Sequence, residues 1–225
     1  MKVLAFDCSG ASCSAAIVVD DEPKAQRFVA MVRGHAETLL PMIETVLREA
    51  ALTPAMLDLL AVTIGPGSFT GLRIGLAAGR GLALARQLPA IGVPSFDAVV
   101  AEGVGERPLL IVLESKRAEL FVQRRDRVDS RLPALVPPAD WAAILPPGPC
   151  CLAGDGAARL AGAVGRSDVV VLPGHGLPDP LALARLGASR WQAGDRTKLA
   201  PLYLRAPDTT TPQRTAAGHA ARVTP

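Results

Sequence analysis

The feature that most constrains this fold is a change of hydrophobic period just before His35. Three short apolar runs precede it: Val3 to Phe6, Cys13 to Val19 and Ala25 to Val32. Asp7-Cys8-Ser9-Gly10 and Asp20-Asp21-Glu22-Pro23 separate them, so the spacing predicts an antiparallel meander of three strands. From His35 to Leu52 the period becomes helical, with Leu39, Leu40, Ile43, Val46, Leu47 and Ala50 on one face and Glu37, Glu44, Arg48 and Glu49 on the other. Pro41 predicts a kink or a late start. Next come a strand over Leu59 to Ile64, a helix from about Thr70 to Gln87, a strand over Pro89 to Val93, and a short helix over Ser95 to Glu102 capped by Ser95. Residues 1–104 thus read βββαβαβα.

The second half opens the same way. After a junction at Gly105-Glu106-Arg107-Pro108, Leu109 to Leu113 and Leu120 to Gln123 read as a hairpin around Glu114-Ser115-Lys116-Arg117. The Pro-rich stretch from Leu132 to Pro149 reads as loop, with at most one short helix near Trp141. Strands over Cys151 to Ala153 and Val169 to Leu172 and a helix over Asp179 to Gln192 complete it. Both halves open with a hairpin and then alternate strand and helix. The expected architecture is two α/β lobes of related topology: an N-terminal lobe over 1–104, a smaller C-terminal lobe over 105–206, and a disordered tail over 207–225.

Composition narrows the function classes. In 225 residues, 49% are hydrophobic and 20% charged, which suits a packed core. Aromatics are only 4%, which argues against a base-stacking platform. The net charge of +3 comes without a Lys/Arg block; Arg124-Arg125-Asp126-Arg127 is interrupted by its acid. Cysteines at 8, 13, 150 and 151 form no C-x-x-C pair, and no N-terminal apolar stretch is long enough for a signal or membrane span. A reduced cytoplasmic protein with no membrane contact is expected.

The most informative segment is Ile64-Gly65-Pro66-Gly67-Ser68-Phe69-Thr70-Gly71-Leu72-Arg73-Ile74-Gly75. A glycine-rich loop between a strand and a helix N-terminus suits an anion. Yet glycines at 65, 67 and 71 miss the G-x-G-x-x-G spacing, and no Lys-Ser/Thr follows. A tight structural turn is the simpler reading. On the next helix Gly71, Gly75 and Gly79 share one face. Each glycine costs a helix about 1 kcal/mol against Ala, so the stripe implies close packing, on the chain's own sheet or on a partner.

With Leu4-Ala5-Phe6-Asp7-Cys8-Ser9, His35 through Ile43, Gly65 through Gly75, and Pro201-Leu202-Tyr203-Leu204-Arg205, the chain resembles the bacterial TsaB (YeaZ) family nearly end to end. The resemblance implies an actin-like, two-lobed fold of the sugar-kinase and Hsp70 superfamily. It implies a part in forming tRNA threonylcarbamoyladenosine (t6A), as a non-catalytic protein that docks on and activates a paralogous TsaD-like transferase together with a TsaE-like ATPase. tRNA contact is expected only through that complex. It also implies a four-helix contact made by the helices over 35–51 and 70–87. The expected interface residues are Leu39, Ile43, Gly71, Leu72, Gly75, Leu76 and Gly79, with a homodimer through the same helices when the partner is absent.

The residues themselves argue against chemistry here. TsaD-type enzymes hold a metal with H-x-x-x-H on the first helix, but Leu39 follows His35 at that spacing, and His175 and His219 lie in a loop and the tail. No metal and no cofactor are expected, and no catalytic residue is assigned. Asp7, Ser9, Gly154 and Gly156 are the weak candidates for a nucleotide cleft; Ser9 stands where actin-like ATPases prefer glycine, and Glu114 through Arg117 lack both Asp and Gly. The alternative reading is an autonomous nucleotide-binding ATPase or phosphotransferase of the actin-like class.

Overall fold

The computed structural model describes residues 1–99, 106–125, 132–174 and 176–204. The meander forms as expected: β1 (Lys2–Asp7), β2 (Ser12–Val19) and β3 (Glu22–Ala30) pair antiparallel in sequence order. β4 (Leu59–Gly65) lies parallel to β1, and β5 (Ala90–Pro94) parallel to β4, giving the order β3-β2-β1-β4-β5. β1, β2 and β4 are buried almost throughout because both faces of the sheet are covered, which is why they read as continuous apolar runs. α1 (His35–Glu49) and α2 (Phe69–Arg86) cover one face.

α1 runs unbroken through Pro41, against the expected kink. Pro41 and Glu37, whose carbonyl loses its N–H donor, both sit on the exposed side, where solvent satisfies that carbonyl.

The second half repeats the plan. β6 (Leu109–Glu114), β7 (Leu120–Arg125) and β8 (Ala134–Val136) form a meander. β9 (Cys150–Ala153) lies parallel to β6, and β10 (Val169–Val171) parallel to β9, giving β10-β9-β6-β7-β8. α3 (Trp141–Ile144) and α4 (Ala157–Val164) cover one face, Trp141 and Leu160 packing over Leu110, Val112, Leu120 and Leu152. The other face joins the halves: Ile111, Leu113, Phe121 and Ala153 pack with Phe96 and Val99.

Three expectations change. Ser95 caps no helix: residues 95–98 form turns, Val99 bridges to Pro178, and Ser95 Oγ donates to Ser9 Oγ at 3.0 Å; residues 100–102 lie outside the described residues. β8 arises where only loop was read, and α4 where no element was assigned. β8 is three residues long between prolines, too short to display a period; α4 carries Ala157, Leu160, Ala161 and Val164 at helical spacing, but its small Ala and Gly side chains mute the pattern. The boundary at 104/105 also misplaces the chain's end. α5 (Pro180–Gln192), capped by Asp179, packs across the second face of the first sheet, on Val3, Ala5, Ala61 and Ile91 through Leu183 and Ala184. Gly187 permits this closeness, since a Cβ there would stand 2.5 Å from Ala61 Cβ. The tail expected over 207–225 lies outside the described residues. No helix among those described is long and apolar enough to cross a membrane.

Candidate functional site

The C-terminal ends of β1 and β4 bring the informative residues together. Asp7 ends β1 fully buried. Its Oδ1 accepts from Ser9 N–H at 2.9 Å and from Thr63 Oγ1 at 2.5 Å. Its Oδ2 is buried without a partner among the described residues. Burial pushes the carboxyl above its ordinary range, and the bonds from Ser9 and Thr63 and the nearby His35 offset this in part.

The glycine-rich loop is pressed against the β1–β2 turn. Ser68 N–H donates to Ser9 O at 2.6 Å, and Ser95 N–H to Gly65 O at 2.8 Å. A Cβ on Gly67 would stand 2.1 Å from Ser9 O, and one on Gly71 would stand 1.9 Å from Cys8 O. Gly65 sits at φ 108°, a conformation that favours glycine. Two of the N–H groups that an anion would use are already taken, because Ser68 Oγ also accepts from Gly71 N–H at 3.4 Å. The loop is a packing joint rather than an open anion cradle.

The glycines of the second half are also committed to packing. Gly154 has φ 109° and a Cβ direction 2.0 Å from Val112 O; Gly156 donates its N–H to Val112 O at 3.0 Å. Between them, Asp155 Oδ1 accepts from Glu114 N–H at 2.9 Å. Burial, with repulsion from Glu114 and against that hydrogen bond, pushes Asp155 up to about 6. Glu114 is gripped by Arg159 through two bonds of 2.8 and 2.9 Å.

Sequence reasoning missed what lies between these loops. A strap over residues 176–179 threads the cleft between the halves. A Cβ on Gly10 would meet Leu177 Cδ2 at 2.9 Å, and one on Gly176 would meet Gly154 and Asp155 backbone at 2.6–2.9 Å. Asp179 N–H closes the strap onto Ala98 O at 2.8 Å, and Leu177 is buried. No local pattern announces a strap whose partners are so distant in sequence. Thr63 did carry a signal, as the lone polar residue in Leu59-Leu60-Ala61-Val62-Thr63-Ile64.

The nominated interface residues turn inward. Leu39, Ile43, Leu72 and Leu76 are core residues. Gly75 faces Cys8 Cβ (3.8 Å) and Val62 Cγ1 (4.0 Å), and Gly79 faces Val62, Phe6 and Leu199. The glycine stripe therefore seats α2 on its own sheet: a Cβ on Gly71 would collide with Cys8 O and one on Gly79 would crowd Val62 and Leu199 at 3.0 Å, while one on Gly75 would make ordinary contact.

His35 begins α1 but is buried, with Nε2 unpartnered among the described residues, rather than lying at the surface. Leu39 takes the position one turn on; His175 and His219 lie outside the described residues. Among the described residues no group of three His, Cys, Asp or Glu could hold a metal. All four cysteines are free and buried.

Comparison with known proteins fixes the relationship. Residues 29–148, just over half of the chain, match the family model "TsaD: tRNA N6-adenosine threonylcarbamoyltransferase". An uncharacterized protein of Mycobacterium tuberculosis is 35% identical over 209 residues, 92% of each chain. The tRNA threonylcarbamoyladenosine biosynthesis protein TsaB of Escherichia coli is 34% identical over 125 residues, covering 54% of this chain and 53% of that one. The solved structure of YeaZ from Pseudomonas aeruginosa shares the fold at a TM-score of 0.76 with 24% identity, over 90% of this chain and 99% of that one. With two five-stranded sheets of the same strand plan, the chain belongs to the TsaB (YeaZ) family.

Proposed function

We propose that this chain serves t6A formation in tRNA as a non-catalytic subunit that docks on a TsaD-like transferase and works with a TsaE-like ATPase. The biosynthetic role follows from family membership and from the name carried by its E. coli relative. The observation that carries the non-catalytic part is the state of the cleft. Ser9, Gly154 and Gly156 are spent on contacts within the chain, and Leu177 is buried beside Gly10 of the β1–β2 turn.

Docking through α1 and α2 remains the reading we favour, with the outward residues in place of the inward ones. On α2, Ala77, Gly81 and Leu84 are exposed, Leu84 at 84%, while Ile74 and Ala78 are half-buried against the core. On α1, Leu40 is 51% exposed. An apolar cavity of about 160 Å³ opens between the helices, lined by Leu40, Ile43, Leu47, Leu82 and Leu88. Gly81 has nothing within 4 Å of its Cβ direction, so a partner helix can approach closely there. Such a face favours a second copy of the chain when the partner is absent.

The purified chain should show no steady ATP turnover alone and should co-elute with the TsaD-like partner. Turnover that follows the protein through purification and is lost in Asp7→Asn would instead establish the actin-like ATPase reading.

A further inference from the structure

We infer that the flank of α2 lined by residues 196–204 is a contact surface for unpaired RNA, an inference that rests on the tRNA-modification role proposed above. The sequence has no basic run, but the fold assembles a basic stripe. Leaving α5, the chain pairs Thr197 O with Gly92 N–H (2.8 Å) and then runs beside α2. There Leu199 O accepts from Arg80 Nε at 2.9 Å, and Leu202 N–H donates to Ile64 O at 2.7 Å. Arg196, Lys198, Arg80 and Arg73 therefore follow one another along one exposed strip. Neither α2 nor residues 196–204 contain an Asp or Glu. Asp195, at the edge of the strip, turns its Oδ1 to Thr197 N–H (2.8 Å) and Oγ1 (2.7 Å).

Flat faces interleave with these charges. The Arg73 guanidinium lies 3.8 Å over the Phe69 ring, whose centroid is 5.3 Å from that of Tyr203, and Arg73 Nε reaches Tyr203 OH at 3.4 Å. Both rings are 38% exposed, in a chain with one tyrosine and five phenylalanines. At the far end Arg196 stacks 3.7 Å over Trp191. Cations along a strip attract any polyanion, but stacked guanidinium and ring planes at its ends favour one whose bases are free to stack. A paired helix hides its bases from such planes, whereas an unpaired strand offers both its phosphates and its bases. Single-stranded RNA, such as an unpaired tRNA loop, fits both features.

The test is fluorescence anisotropy of the full-length chain with a labelled unpaired oligoribonucleotide and with a duplex of equal length, over a salt series. The unpaired strand should bind more tightly than the duplex, with log K falling against log salt at a slope of about −2 to −3 for four cations. Tyr203→Ala should weaken binding about tenfold, and Lys198→Gln, at an exposed side chain, should make the slope shallower by about 0.7. Melting curves establish that both variants stay folded. Absence of binding, equal binding of duplex, or unchanged binding by both variants would overturn the inference. So would Tyr203→Ala breaking co-elution with a protein partner while RNA binding persists. If cells lacking the chain keep their t6A while the stripe still binds RNA, the functional reading fails and the RNA contact stands.

Discussion

Gly71 shows how strongly single residues hold the site. A Cβ there would sit 1.9 Å from Cys8 O, a backbone atom that cannot swing away. Gly71→Ala should therefore destabilise the protein by about 3 kcal/mol although it adds one methyl group, read as a lowered midpoint in denaturant unfolding. Asp155 makes the opposite case. Its carboxyl titrates near 6 in the folded chain against an ordinary 3.8, so folding favours its protonated form. That stabilisation is full below the unfolded value and is lost as the pH rises through about 6. Asp155→Asn, whose amide oxygen can still accept from Glu114 N–H, should thus be more stable than wild type by about 1–3 kcal/mol at pH 7.5. The two should converge by pH 4, which thermal melts at a series of pH values will check. A constant difference across that range would mean that the carboxyl is not what titrates.

At the scale of elements, α2 has two working sides. Its inner side is the glycine stripe, and its outer side carries Ala77, Gly81 and Leu84. Gly81→Glu adds a charge in open space and should leave the melting temperature within a few degrees of wild type while abolishing co-elution with the partner. Gly75→Glu pushes a carboxylate toward Cys8 and Val62 and should cost the fold itself, about 3 kcal/mol or more. Analytical size exclusion and melting curves on the two variants separate the sides. The stripe's existence was legible in the sequence, because three glycines at helical spacing require close packing. Its direction was not, because spacing defines a face but not what covers it. The meander, α1, β4, α2 and the second hairpin were legible for a related reason: each is long enough to display its own period. β8 is too short for that, α4 mutes its period in small side chains, and the turns at 95–98 are shaped by the long-range bond from Ser95 to Ser9.

At the scale of the molecule, two sheets of the same strand plan meet across an apolar joint at Phe96, Val99, Ile111 and Phe121. Asp97 adds a charged tie, pairing with Arg125 of β7 and with Arg190 of α5 (2.6 Å to the latter). The duplicated plan was legible in the sequence from two hairpins, each followed by alternation. The return of α5 to the first sheet and the strap at Leu177 were not, since both are long-range matches of shape. Together they tie the two halves through the chain's own C-terminal segment, with Leu177 buried at Gly10 and α5 on the first sheet. The most direct test is the t6A content of tRNA, by nucleoside mass spectrometry, in cells depleted of the chain and supplied with variants. Depletion should remove the modification, wild type and the cleft variant Asp155→Asn should restore it, and Gly81→Glu should not. Modification that persists on depletion, or a folded Asp155→Asn protein that fails to restore it, would contradict the account.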